Sequence, residues 1–327
     1  MSSMPEVINP HVHVLNVPPI PLPAPQRSKY HLSEKQVRFF DEHGYLVLRK
    51  LISGELLERL QAAGSNWIER GLSTGLDDPQ RGDYQFAKRS NGEVFYRVDY
   101  LHDKREAASL ELLGSPEVLA VAESLCGSNF VPTYESMVFK QQGDGEQIPW
   151  HQDAVHPRHH RVFNFDLYLD RSSIGSGALR VVPGTQNRIL DVCEIRDRFG
   201  WNADGVIQVE MEPGDVLLHD VMVLHGSERT EGKALRRTIY YEFRAAEEIL
   251  EDGPWDREWI ERRLRLVPLG LRAHARTFPK AAQFDWQISN SFRPTPLGDD
   301  TAELKVAHEV HMNGSYCSAG DAIKATP

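Results

Sequence analysis

In Trp150-His151-Gln152-Asp153 an imidazole and a carboxylate stand two positions apart. Residues i and i+2 of an extended strand share a face, so both groups can reach one ion. A second imidazole, His225, comes 72 residues after Asp153, at the end of VLLHDVMVLH. Two histidines and one carboxylate on one side of a metal form the facial triad of non-haem Fe(II) oxygenases, which leaves positions open for a chelating cosubstrate and O2. A His-x-Asp pair by itself is common and is usually an ordinary polar pair. The ordered set gives it weight: HxD, a run of short strands, a late histidine, then Arg236 eleven positions further on in LRRTIYYEF. 2-Oxoglutarate would chelate iron through its keto oxygen and one carboxylate, leaving a distal carboxylate in need of a cation. A guanidinium fork meets that need better than an ammonium. Arg236 and Arg237 face opposite sides of a strand, so one of them enters the pocket, and Arg236 is the candidate. Gln152, between the two ligands, points away from the ion.

The elements that must hold these residues change character along the chain. Residues 1–28 carry seven prolines, including PPIPLPAP, and read as an extended arm on the surface. Residues 29–327 read as a single domain. Ser33 caps a helix through EKQVRFFDEHG, with Val37, Phe39 and Phe40 on one face and Gly44 as its stop. A second helix starts at Ser53, with Leu56, Leu57, Leu60 and Trp67 inward, and a third at Ser115-Pro116-Glu117. From about residue 130 the pattern is of strands and turns: FVPTYESMVFKQ, VFNFDLYLD, GALRVVPG, GVIQVEM, GDVLLHDVMVLH and RRTIYYEFR. Close-spaced strands without intervening helices predict a mainly β fold with flanking helices, its core an antiparallel jelly roll at about 130–245. After Arg244, PWDREWIERRLRL is helical and the tail beyond it has no clear periodicity.

Composition narrows the partners. The formal charge is 37 − 47 = −10, so the overall surface is not built for nucleic acid or an anionic membrane. No run of about 18 apolar residues predicts a membrane span. Cys126, Cys193 and Cys317 are odd in number and far apart, so neither a disulfide framework nor a zinc ribbon is expected. A reducing, cytoplasmic setting follows from that reading.

Taken together, HQD, GALRVVPGTQ, EPGDVLLHDVMVLHGS and LRRTIYYEF resemble the phytanoyl-CoA dioxygenase family over roughly residues 35–245. The resemblance implies a double-stranded β-helix (cupin-like) core, Fe(II), and 2-oxoglutarate and O2 as cosubstrates. It also implies oxidative decarboxylation to succinate and CO2 coupled to hydroxylation of a small molecule. Its iron ligands fall on His151, Asp153 and His225, its distal-carboxylate arginine on Arg236, and the serine of its HGS motif on Ser227. Met137 in SMVFK and Arg97 in YRVDY match further cosubstrate contacts. Where other members carry Trp on the strand after HxD, this chain has Asp166. Related halogenases lack the carboxylate ligand, so Asp153 favours hydroxylation.

The substrate is less defined. His156, Arg158 and Arg161 in HPRHHR follow the HQD closely and are candidates for binding an anionic substrate. A second basic group, Arg262, Arg263, Arg265, Arg272 and Arg276, reads as a charged helix face. Two other classes stay open: a cupin-like metal enzyme that does not use 2-oxoglutarate, against which Arg236 speaks, and a non-catalytic binding protein, against which the intact triad speaks.

Overall fold

Ser33 opens the first helix through a reciprocal capping box with Gln36, and Gly44 closes it at φ 74°. The structure is a computed structural model. It describes residues 13–14, 28–89, 92–140, 146–157, 159–229, 234–253, 255–297, 303–307 and 314–317. The Pro-rich arm therefore lies outside the described residues except for His13–Val14 and Ser28.

In chain order the first elements are β1 (His13–Val14), α1 (Glu34–His43), β2 (Tyr45–Leu48), α2 (Gly54–Ser73), β3 (Tyr84–Arg89) and β4 (Gly92–Asp99). Then come α3 (Ala108–Leu113), α4 (Pro116–Cys126), β5 (Phe130–Lys140), β6 (Ile148–His151), β7 (Phe163–Tyr168), β8 (Leu179–Val182) and β9 (Arg188–Ile189). The remainder are α5 (Val192–Phe199), β10 (Ile207–Val209), β11 (Val216–Asp220), β12 (Leu224–Ser227), β13 (Arg236–Ala245), α6 (Ala246–Asp252), α7 (Arg257–Leu264) and α8 (Leu266–Thr277).

Two antiparallel sheets make the jelly roll. The larger has the order β2-β11-β7-β13-β5-β4-β3 and the smaller β10-β8-β12-β6. Leu217 and Tyr168 of the larger sheet pack with Leu179, Val181 and Val209 of the smaller, which closes one end of the sandwich. The outer face of the larger sheet packs on the helices, with Phe163, Phe165, Leu167, Ile239, Tyr241 and Met137 joining Phe40, Leu60, Trp67 and Leu119 in one core.

All six residues of β7 are buried, yet FNFDLY alternates in polarity. Phe163, Phe165 and Leu167 belong to the helix-side core, so Asn164, Asp166 and Tyr168 face the interior between the sheets. A strand buried on both faces is ordinarily apolar throughout. Buried polar alternation marks a polar-lined interior between the sheets, here called the chamber.

Several expectations need correction. GDVLLHDVMVLH is two strands, not one: the chain turns after Asp220 and crosses from the larger sheet to the smaller. Phe39 is 37% exposed, because the buried stripe of α1 runs through Val37 and Phe40 at i and i+3. The tail contains α8, which Pro268 and Gly270 hid. Proline is tolerated in a first turn, and Gly270 lies so close to Gly114 that a Cβ on the latter would meet its carbonyl oxygen at 2.0 Å. Arg263 is no solvated charge, being fully buried against Glu135. Cys193 and Cys317, 124 positions apart, are joined as a disulfide with Cα atoms 4.7 Å apart. Folding, not sequence spacing, brings them together, and the cysteine argument for a reducing compartment falls with this pairing. No described helix is long and apolar enough to cross a membrane.

Candidate metal centre and cosubstrate pocket

The smaller sheet sets two ligands by register. Strands β6 and β12 pair antiparallel with His151 opposite His225, which puts the two ring centroids 4.1 Å apart. Asp153 follows β6, and its Oδ1 lies 3.2 Å from His151 Nε2 and 3.7 Å from His225 Nε2. One ligand atom from each residue falls within 4.8 Å of the others. His151 Nδ1 is 2.8 Å from the Pro149 carbonyl and His225 Nδ1 is 2.9 Å from the Val223 carbonyl. A carbonyl only accepts, so both Nδ1 atoms carry the proton, and both Nε2 lone pairs face the centre.

Electrostatics favours the ligand forms. Burial, with His151 adding to it, pushes the His225 imidazole down to about 3, which keeps it neutral. Burial alone would raise Asp153, but the imidazoles around it, His225, His151 and His219, outweigh it and hold the carboxyl well below its usual range. Two imidazoles and one carboxylate, presented from one side, fit Fe(II).

Residues that the sequence reading left unassigned hold Asp153 in place. Its Oδ2 accepts from Asn164 Nδ2 at 2.9 Å and lies 3.1 Å from His219 Nε2. His219 Nδ1 in turn meets Asp166 Oδ2 at 2.8 Å. Both ring nitrogens of His219 thus face carboxylates. Burial would lower its pKa, but Asp166, with the hydrogen bonds to both acids, pushes it up to about 10, so the ring is an imidazolium. Asp166 is the counter-ion of this clamp. The clamp occupies Oδ2 and leaves Oδ1 for the metal. We expect Asp166→Asn, which keeps the shape and removes the charge, to weaken metal binding about 10- to 100-fold, the usual effect of losing such an outer partner. Competition against a chelator measures it. Unchanged affinity would reduce the pair to an ordinary buried ion pair.

A cationic end lies along β13 and β5. Arg236 is half-buried on the chamber side, where its charge is felt at Tyr168 and Tyr240. Its Nη1 donates to Ser172 Oγ at 3.2 Å and to the Gly177 carbonyl. Opposite it in register stands Lys140, whose Nζ donates to Ser227 Oγ at 3.3 Å. Arg236, Lys140 and Ser227 therefore form one cluster. Arg237 faces the other way, bound to Asp170 and α2.

Met137, expected to contact the cosubstrate, faces away from the chamber. It belongs to the helix-side core, its sulfur 3.1 Å from where a Cβ on Gly64 of α2 would lie. Strand alternation sends Lys140, not Met137, into the chamber. Arg97 is on the chamber side, 9% exposed and held by Asp99 at 2.7 Å.

The described HPRHHR candidates, His156 and Arg161, do not gather at a pocket mouth. Arg161 is buried and forks onto Asp41 of α1 at 2.6 and 2.8 Å, with the Leu125 carbonyl beside it. Such a tie joins a loop to the helical layer, so its assignment to substrate is withdrawn. His156 is buried with its Nδ1 2.6 Å from the Pro157 carbonyl. Arg158 lies outside the described residues.

A jelly roll that carries two histidines and a carboxylate at one edge of its smaller sheet is the framework of a non-haem iron oxygenase. Comparison with known proteins agrees. The family described as Phytanoyl-CoA dioxygenase (PhyH) matches residues 40–238, and the chain belongs to that family. A probable alpha-ketoglutarate-dependent hypophosphite dioxygenase of Stutzerimonas stutzeri is 26% identical over 234 residues, covering 66% of this chain and 79% of that one. The crystal structure of AviO1 from Streptomyces viridochromogenes Tue57 is 28% identical with a TM-score of 0.54, covering 65% of this chain and 94% of that one. EctD from S. alaskensis with 2-oxoglutarate and 5-hydroxyectoine has a TM-score of 0.57 at 19% identity, over 73% of this chain and 85% of that one, and shares the fold.

Proposed function

We propose that this protein is an Fe(II)- and 2-oxoglutarate-dependent dioxygenase that hydroxylates a C–H bond of a small molecule and releases succinate and CO2. The observation that carries the reading is the triad itself: three ligand atoms within 4.8 Å, with both histidine tautomers set by backbone carbonyls, in a chain of this family. His151, Asp153 and His225 would hold the iron. Fe(II) so held supplies the O2 activation that no protein side chain can perform.

The remaining residues bind and orient. Arg236, with Lys140 and Ser227 beside it, offers two cations and a hydroxyl for the distal carboxylate of 2-oxoglutarate, and the guanidinium fork gives that contact direction. Asn164 and His219 hold Asp153 so that its free oxygen stays aimed at the centre. Because Asp153 fills the carboxylate position, no place is kept for halide, which favours hydroxylation. The substrate-charge expectation keeps no described arginine of HPRHHR, so specificity is sought in the chamber walls. Residues 29–327 act as one catalytic unit in this reading.

A succinate-release screen over a broad metabolite set, followed by mass spectrometry, tests it. The expected result is succinate formation that requires Fe(II), 2-oxoglutarate and O2, with a product heavier by one oxygen atom. Turnover of a substrate without succinate would instead favour a metal-dependent enzyme of another class on the same fold.

A further inference from the structure

The C-terminal residues Gly314–Cys317 lie beyond the family match at 40–238, yet they return to the metal centre. Strand β6 is an end strand of the smaller sheet, with unpaired backbone groups that need a cover. Ser315 provides one at Gln152, between the two ligands. The amide of Gln152 donates to the Ser315 carbonyl at 3.1 Å, and the Ser315 amide donates back at 3.0 Å. Ser315 Oγ also donates to the Leu190 carbonyl at 2.9 Å. Gly314 makes this approach possible, since a Cβ there would lie 2.3 Å from the Gln152 carbonyl oxygen and 2.5 Å from that of Asp153.

The next residue reaches the site. The Tyr316 ring stacks on His151 with centroids 5.3 Å apart and planes 17° apart. Its phenol is pushed up by burial and by Asp153 and pulled back by Arg97, so the side chain lies within electrostatic reach of both. Cys317 then bonds to Cys193 in the first turn of α5. That helix is fastened to β6, through Trp150 packing with Val192 and Ile195 and through Trp150 Nε1 donating to the Gly200 carbonyl at 2.7 Å. The strap is thus held at Ser315 by hydrogen bonds and at Cys317 by a covalent bond.

We propose that Tyr316 is a positioning residue of the active site, carried onto His151 by a disulfide-held C-terminal strap that walls the chamber beside the metal ligands. The inference rests on the triad being the metal site. The ring limits the orientations open to His151 and restricts exchange of metal and cosubstrate with solvent. The disulfide sets how long the strap stays seated. A dithiol reductant opens it by thiol–disulfide exchange: the Cys193–Cys317 bond breaks, each sulfur takes up one proton and one electron, and the dithiol is oxidised to its own disulfide.

The test uses the full chain loaded with Fe(II) and 2-oxoglutarate without O2. It reads the rate of metal loss to a chelator and the Fe(II)–2-oxoglutarate charge-transfer absorption. Tyr316→Ala, Cys317→Ser and dithiol-treated unaltered protein are expected to lose metal about tenfold faster, within the range found for outer partners of metal ligands, and to shift the absorption. Tyr316→Phe keeps the ring and should behave as the unaltered protein does, as should Cys126→Ser. Equal exchange rates and an unchanged absorption in Tyr316→Ala, with metal still bound, overturn the proposal. So does recovery of Cys193 and Cys317 as free thiols in non-reducing peptide mapping. Failure of the unaltered protein to bind metal overturns the triad reading first, and this one with it.

Discussion

His225→Ala and His151→Ala are each expected to lose bound Fe(II) and, with it, 2-oxoglutarate turnover to background. Each ring contributes one of three protein ligands, and no other described histidine offers a free Nε2 to the same point. His219 is close, its ring centroid 4.7 Å from that of His225, but its nitrogens are committed to Asp153 and Asp166. Removing either ligand leaves two, too few for tight binding of a metal that also exchanges with water. Stability offers an independent readout. Iron at about a hundred times its Kd adds about 2.7 kcal/mol to the folded state, because it binds only that state. Unaltered protein should therefore melt higher with Fe(II) than with chelator, and either variant should melt alike in both. A variant that retained iron and full turnover would show that a different residue completes the triad.

Much of this centre was readable in the chain because its information is local. His151 and Asp153 share a face by strand periodicity, and Arg236 and Arg237 divide between faces for the same reason, as found. The helix starts at Ser33 and Ser115 were readable from capping chemistry. What was not readable depends on long-range placement. Met137 and Lys140 are three apart on β5, so they take opposite faces, and only the pairing with β13 tells which face is the chamber. Asn164 and Asp166 did carry a signal. In FNFDLY they alternate with core residues, which in a strand this hydrophobic points to a buried polar face. His219 lies two positions after Leu217 on the same pattern. Tyr316 carried none, since a dipeptide bridge and a disulfide over 124 positions leave no periodic trace.

Arg236→Ala and Arg237→Ala should separate cleanly, one in cosubstrate binding and the other in stability. Arg236 is half-buried, and among the described residues its guanidinium donates to Ser172 Oγ and the Gly177 carbonyl. Neither is charged, so its removal strands no buried carboxylate and should cost the fold little. What it takes away, on the proposed function, is the fork for the distal carboxylate of 2-oxoglutarate. Losing one partner of a desolvated charge pair costs about 2–5 kcal/mol. Lys140 remains nearby, so the loss should sit low in that range, and about 3 kcal/mol corresponds to roughly a 100-fold rise in half-saturating 2-oxoglutarate. Arg236→Lys should recover part of this and not all, because an ammonium keeps the charge without the fork. Arg237 is only 7% exposed. It grips both oxygens of Asp170 at 2.8 and 2.9 Å, and it donates to the Gln61 carbonyl at 2.7 Å and Ser65 Oγ at 2.9 Å on α2. Arg237→Ala leaves Asp170 without its cation and removes a polar tie between α2 and the sheet, which should lower stability by about 3–5 kcal/mol. Its half-saturating 2-oxoglutarate should stay unchanged, as measured at a temperature where the variant is folded. The reverse ranking, with Arg237→Ala starved of cosubstrate and Arg236→Ala unstable, would place the chamber on the helix side of β13, which the seating of Ile239, Tyr241 and Phe243 in the helix-side core opposes.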